Sequence, residues 1–151
     1  SGAALISLVL LLVLAISAGA ASSQNVGVKF WKERSDKESM ANSGIDPDRT
    51  ATLTRQANGT YTLTLPVMQV SKLGVTGYLS GLTIGDVTYD GTLTGDFNKA
   101  TAVLTIKNLP ASVLTGSDVN KSVLVTCNIQ MDLQVLGEIN TSARMCIWNQ
   151  K

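Results

Sequence analysis

Apolar and polar residues follow two different patterns along this chain. From Ala3 to Ala21, nineteen residues are Ala, Leu, Ile or Val except for Ser7, Ser17 and Gly19. As a helix this run is about 28 Å long at ~1.5 Å per residue, close to the thickness of a bilayer core. From Val26 the pattern turns to a period of two, beginning with Val26, Val28 and Phe30. Arg49 to Arg55 and Thr60 to Leu65 flank Asn58-Gly59, whose tolerance of positive φ suits a tight hairpin turn. Val75 to Ile84, Val87 to Thr94 and Thr101 to Lys107 are further short runs bounded by glycines. Between Ser122 and Val135 every odd position from Val123 to Val135 is apolar, which predicts a long antiparallel strand with one buried face. Arg144 to Trp148 would return beside it.

All sixteen Thr lie beyond Arg49, mostly between apolar neighbours, where a β-branched side chain suits a half-buried pleated surface. The one departure is a short turn near Ser39 to Asn42. Seven or eight strands at this spacing predict an antiparallel, immunoglobulin-like β-sandwich behind one N-terminal hydrophobic α-helix. The division falls at residues 1–23 for the helix and 24–151 for the β domain.

Charge sharpens that division. All 12 basic and 11 acidic residues lie from Lys29 onward, and seven of them, of both signs, crowd into residues 29–38 as a solvated face. The chain has no His, which excludes His-dependent triads and most zinc sites. A net charge of +1 and 5% aromatic residues argue against nucleic acid as a partner. There is no Gly-rich phosphate loop, nucleophile elbow or paired-carboxylate motif. The expectation is therefore a non-enzyme, with no catalytic residues, no metal site and no cofactor.

The apolar head has two readings. Ala18-Gly19-Ala20 looks like a signal-peptidase site, yet the run opens the chain without a positive n-region, which favours a retained helix. Ala3 and Ser7, and Ala15 and Gly19, stand four apart, so small side chains share a helix face and permit close helix packing. This arrangement resembles the type IV pilins and their archaeal relatives over Ser1 to about Ser23, although Leu5 stands where the bacterial pilins carry glutamate. The resemblance implies a cell-surface filament subunit, extracellular, membrane-anchored before assembly, with copies of itself as its partner.

The β domain carries a second resemblance. Val28-Lys29-Phe30-Trp31, Ser39-Met40, Arg49 to Leu53, Asn58-Gly59-Thr60-Tyr61 and Leu63-Thr64-Leu65 follow the opening order of the near-iron-transporter (NEAT) domains. These are surface β-sandwiches of Gram-positive bacteria that carry haem. The resemblance implies the fold, a surface location and, as the alternative function, a membrane-anchored receptor for haem or another ligand. The family's haem pocket uses a Y-x-x-x-Y pair at the start of the last strand, and residues 137–145 contain no Tyr. Met131 or Met145 offers a thioether, but a Met in an alternating apolar strand reads first as core packing.

Three constellations remain. Cys127 and Cys146 lie on strands expected to pair, and in an oxidising compartment they would form a disulfide, with two buried thiols as the other reading. Asp86, Asp90 and Asp96 lie in a Gly-rich stretch where turn chemistry outweighs calcium. Asn58, Asn120 and Asn140 head three N-glycosylation sequons.

Overall fold

A computed structural model describes residues 21–72, 74–132 and 137–150. Among these residues nine antiparallel strands make up the domain: β1 (Ser22–Lys32), β2 (Ala51–Arg55), β3 (Tyr61–Pro66), β4 (Val70–Lys72), β5 (Val75–Ile84), β6 (Val87–Thr94), β7 (Val103–Leu109), β8 (Val123–Met131) and β9 (Glu138–Asn149). The apolar run up to residue 20, with its small residues Ala3, Ser7, Ala15 and Gly19, lies outside the described residues. No helix among the described residues is long and apolar enough to cross a membrane.

The period-two pattern determines which face each strand buries. Leu53 sits opposite Leu63 with both side chains inside, while Thr52 opposite Thr64 and Thr54 opposite Thr62 take the outer face. The turn between β2 and β3 closes through Gln56 N donating to Thr60 O at 2.8 Å, with Gly59 at φ +86. On β1, Val26 and Phe30 point inward, and Phe30 faces Met145 of β9. Phe30, Leu53, Leu63, Leu82, Leu104, Ile106, Met145 and Ile147 are each 0–1% exposed. Burial of this kind contributes about 1.5–3 kcal/mol per large side chain.

The strands form a barrel-like ring, which corrects the expected immunoglobulin-like sandwich. Eight of them run in the order β5-β6-β7-β3-β2-β1-β9-β8, and β8 pairs back with β5 to close the ring. The cause lies in β5, whose successive parts serve different neighbours. Val75 to Gly77 pair with β4, Gly77 to Thr83 with β8, and Gly81 to Ile84 with β6. A register shift between Leu79 and Gly81 allows this change of partner. At Gly81 a Cβ would lie 2.6 Å from Tyr89 O, so glycine lets β6 approach.

The charged run after Phe30 folds back over the outer face of the sheet. Lys29 pairs with Glu38 at 2.8 Å, and Arg144 of β9 reaches Asp36 at 2.7 Å and Ser35 O at 2.7 Å. These exposed pairs tie the loop down without contributing much stability.

Candidate functional site

Ser39 starts a single 3-10 turn, Met40–Gly44, by accepting a hydrogen bond from Ala41 N at 3.2 Å. The turn is held to β1 by Asn42. Phe30 N donates to Asn42 Oδ1 at 2.8 Å, and Asn42 Nδ2 donates to Phe30 O at 2.7 Å and to Ser39 O at 2.9 Å. At its far end, Met68 N donates to Gly44 O at 2.9 Å. The turn is thereby fixed as a wall standing off the end of the barrel.

The opposite wall comes from β5, β8 and β9. Gly77 pairs with Met131, Leu79 with Ile129, and Ile129 with Ile139, so these residues share one face of the sheet. Between the walls lies a cleft of about 290 Å³. Met40, Ala41, Ser43 and Gly44 line one side, Val70 and Val75 the floor of the β4–β5 hairpin, and Gly77, Leu79, Ile129, Met131, Ile139 and Thr141 the other side. Tyr78 also borders it, but strand alternation turns its ring to the other face, where it packs tilted against Phe97 at 5.5 Å between centroids. Met40 at 59% and Ile139 at 41% exposure leave apolar lips at the mouth. Few exposed apolar residues need explaining singly, but two of them framing one apolar cleft make this groove a candidate site.

A second cavity of about 210 Å³ borders Asp46, Arg49 and Trp148. Asp46 and Arg49 are engaged with each other within the fold. Arg49 Nε donates to Asp46 Oδ2 at 2.8 Å, and Arg49 Nη2 donates to Ala102 O at 2.8 Å, joining the loop before β2 to the residue just ahead of β7. The Arg49 hydrogen bond, with the amide of Asp48 adding to it, holds the Asp46 carboxyl below its ordinary value despite its burial. That pair is a structural clamp, and the apolar cleft is the candidate site.

Of the residues singled out by the sequence, few meet there. Met145 is fully buried beside Phe30, as the core reading holds, whereas Met131 is half-buried and lines the cleft. Ile139 and Thr141 occupy the start of the last strand, where the family resemblance would place tyrosine. The cysteines are both buried and unbonded. Cys127 pairs with Thr141 and faces the core, while Cys146 lies on the opposite face of β9 and donates its thiol to Asp118 O at 3.4 Å. The expected bridge requires Cys127 opposite Cys146; the observed register is five residues away, and an odd shift reverses the face. Asn58, Asn120 and Asn140 are all exposed, and Asn58 Oδ1 accepts from Thr60 N at 3.0 Å within the β2–β3 turn. Asp96 caps a 3-10 turn by accepting from Asn98 N at 2.8 Å, Asp90 sits in β6, and Asp86 is exposed between β5 and β6. The side chains the sequence reading missed are Met40, Ile129 and Ile139. Only the family resemblance at Ser39-Met40 pointed toward one of them.

No protein-family profile and no curated protein matches the chain. Among solved structures, the chain is similar to the NEAT5 domain of IsdX2, a B. anthracis hemophore, in complex with heme. The TM-score is 0.55 at 11% identity, covering 87% of this chain and 99% of that one. A point mutant of the same domain, also with heme, gives a TM-score of 0.55 at 11% identity, with 87% and 98% covered. This likeness corrects the expectation of a pilin-type filament subunit, because the structures matched are heme complexes of a hemophore domain and not filament proteins. With its closed antiparallel ring and extra strand β4, the domain has a NEAT-like β fold.

Proposed function

We propose that this chain is a NEAT-like binding module that takes a flat, largely apolar ligand of the haem class in the cleft between Met40–Gly44 and the β8–β9 hairpin. The observation that carries this reading is the cleft itself, about 290 Å³ with apolar walls and two thioether side chains, Met40 and Met131. Its volume is near the lower end of ligand sites, which run from about 300 to 1,000 Å³, and its open mouth lets the edge of a plate-like ligand remain in solvent. The apolar lining suits the face of a porphyrin in polarity. The phenolate ligand of the resembling family is missing, which removes one ligation pattern and leaves the groove intact.

An extracellular, surface-presented position suits this role. β1 starts at Ser22, opposite Arg55, and runs toward the Met40–Gly44 wall, so its first residue lies at the end of β1 away from the cleft. A tether there would leave the groove open to solvent.

Titration of the purified protein with protoporphyrin IX and with haem, followed by ligand absorbance and tryptophan fluorescence, tests the reading. Ile139→Asp places a charge on the cleft lip at an exposed site and should weaken binding by at least about tenfold, or ~1.4 kcal/mol. Leu124→Asp alters an exposed apolar residue that does not line the cleft and should bind as the parent does. Equal affinity in the parent and Ile139→Asp, or no binding of either ligand, would refute the assignment.

A further inference from the structure

The donor atoms on the cleft wall point to a particular form of the ligand. Resting on the function proposed above, we infer that the cleft takes the ferrous form of an iron porphyrin in preference to the ferric form, with the Met131 thioether as the sulfur ligand. The hydroxyls of Ser43 and Thr141 are poor iron ligands, the chain has no His, and the Tyr78 ring is turned to the other face of β5. The thioethers are therefore the soft donor groups in the lining.

Gly77 singles out Met131. A Cβ on Gly77 would lie 2.8 Å from Met131 Sδ, 3.1 Å from the Gln130 backbone oxygen and 3.3 Å from Ile129 Cγ2. Its φ is not in the left-handed region, so the backbone does not require glycine here. What the missing side chain provides is room for the β8 backbone at Gln130 and for the Met131 sulfur against the wall of the cleft. Half-burial of Met131 on a paired strand further limits where that sulfur can go.

The chemistry then follows from the atom. A thioether is neutral and soft, and it binds low-valent metal better than an anionic phenolate does. As an axial ligand it stabilises ferrous over ferric haem, as in the cytochromes c. It also has no proton to lose, so ligation through it releases none, whereas ligation by tyrosine must.

The test is an anaerobic titration of the full chain with three probes: iron-free protoporphyrin IX, ferric haem and dithionite-reduced haem, each followed by absorbance. The parent should bind ferrous haem at least about tenfold tighter than ferric haem. That preference should be flat from about pH 6 to pH 9, a range that excludes ordinary carboxylate titration. In Met131→Leu the ratio of ferrous to ferric affinity should collapse toward unity. A ferric affinity equal to or above the ferrous one in the parent would overturn the inference, as would a preference that survives Met131→Leu. Collapse in Met40→Leu instead would overturn the assignment to Met131. Binding of iron-free porphyrin with no ferrous preference refutes the ligand assignment alone, while failure of all three probes refutes the cleft function and this inference together.

Discussion

Asn42 and Phe30 grip one another from both sides: the Phe30 amide donates to the Asn42 side-chain oxygen at 2.8 Å and the Asn42 side-chain amide donates back to the Phe30 carbonyl at 2.7 Å. This exchange imitates one rung of a β ladder. It attaches the 3-10 turn to a strand whose next inward contact is the barrel core, so the position of one cleft wall is set by the packing of Phe30. Asn42→Ala leaves the Phe30 amide and carbonyl without that partner and should cost about 1–3 kcal/mol, read as a lower urea midpoint. Ligand affinity should fall as well, because the wall is no longer held. A variant as stable as the parent would show that the turn is held by other contacts.

The Asp46–Arg49 clamp makes stability depend on pH with a definite sign. Asp46 is held below its ordinary value of 3.8, chiefly by the Arg49 hydrogen bond. A carboxyl depressed in the folded state contributes its full stabilisation above the unfolded value and loses it as pH falls through the folded value. The gap in urea midpoint between the parent and Asp46→Asn should therefore be widest near about pH 7 and narrow by about pH 3. A gap that widens in acid would contradict the clamp.

The cysteines give a chemical test of the β8–β9 register. Burial pushes the Cys127 thiol up to about 12, so almost none of it is thiolate in neutral solution. Native protein should react slowly with a disulfide reagent, and protein unfolded without reductant should show two free thiols. Absence of free thiols in the unfolded, unreduced protein would mean a bridge and a different register.

Much of this architecture can be read along the chain because one strand is enough to state it. The bounds Val75–Ile84 and Val87–Thr94 coincide with β5 and β6, and Asn58-Gly59 does mark the β2–β3 turn. The ring closure is less legible, since it depends on β5 dividing itself among β4, β6 and β8, and pairing partners leave no period in a sequence. Three-residue β4 is too short to show alternation. The cysteine register escaped for a related reason. The alternation fixes which side chains face inward on β8 but says nothing of where β9 begins, and Glu138 opposite Gln130 sets it. The cleft is the least legible feature, because its walls come from residues near 40, 77, 130 and 140 that only the closed barrel brings together. Met131 shows the limit well: the same alternation that buries Cys127 carries on past the end of the core and into the groove.

The central claim is that a flat ligand occupies the groove between Met40–Gly44 and the β8–β9 hairpin. The most direct measurement is the amide NMR spectrum of the isotope-labelled protein before and after one equivalent of zinc protoporphyrin, a diamagnetic stand-in for haem. The account predicts saturable shifts concentrated at Met40 to Gly44, Val75 to Leu79, Ile129 to Met131 and Ile139 to Thr141, with the amides around the Asp46–Arg49 clamp unmoved. Shifts centred on that clamp or on the exposed face around Leu124, or a spectrum unchanged by the porphyrin, would contradict it.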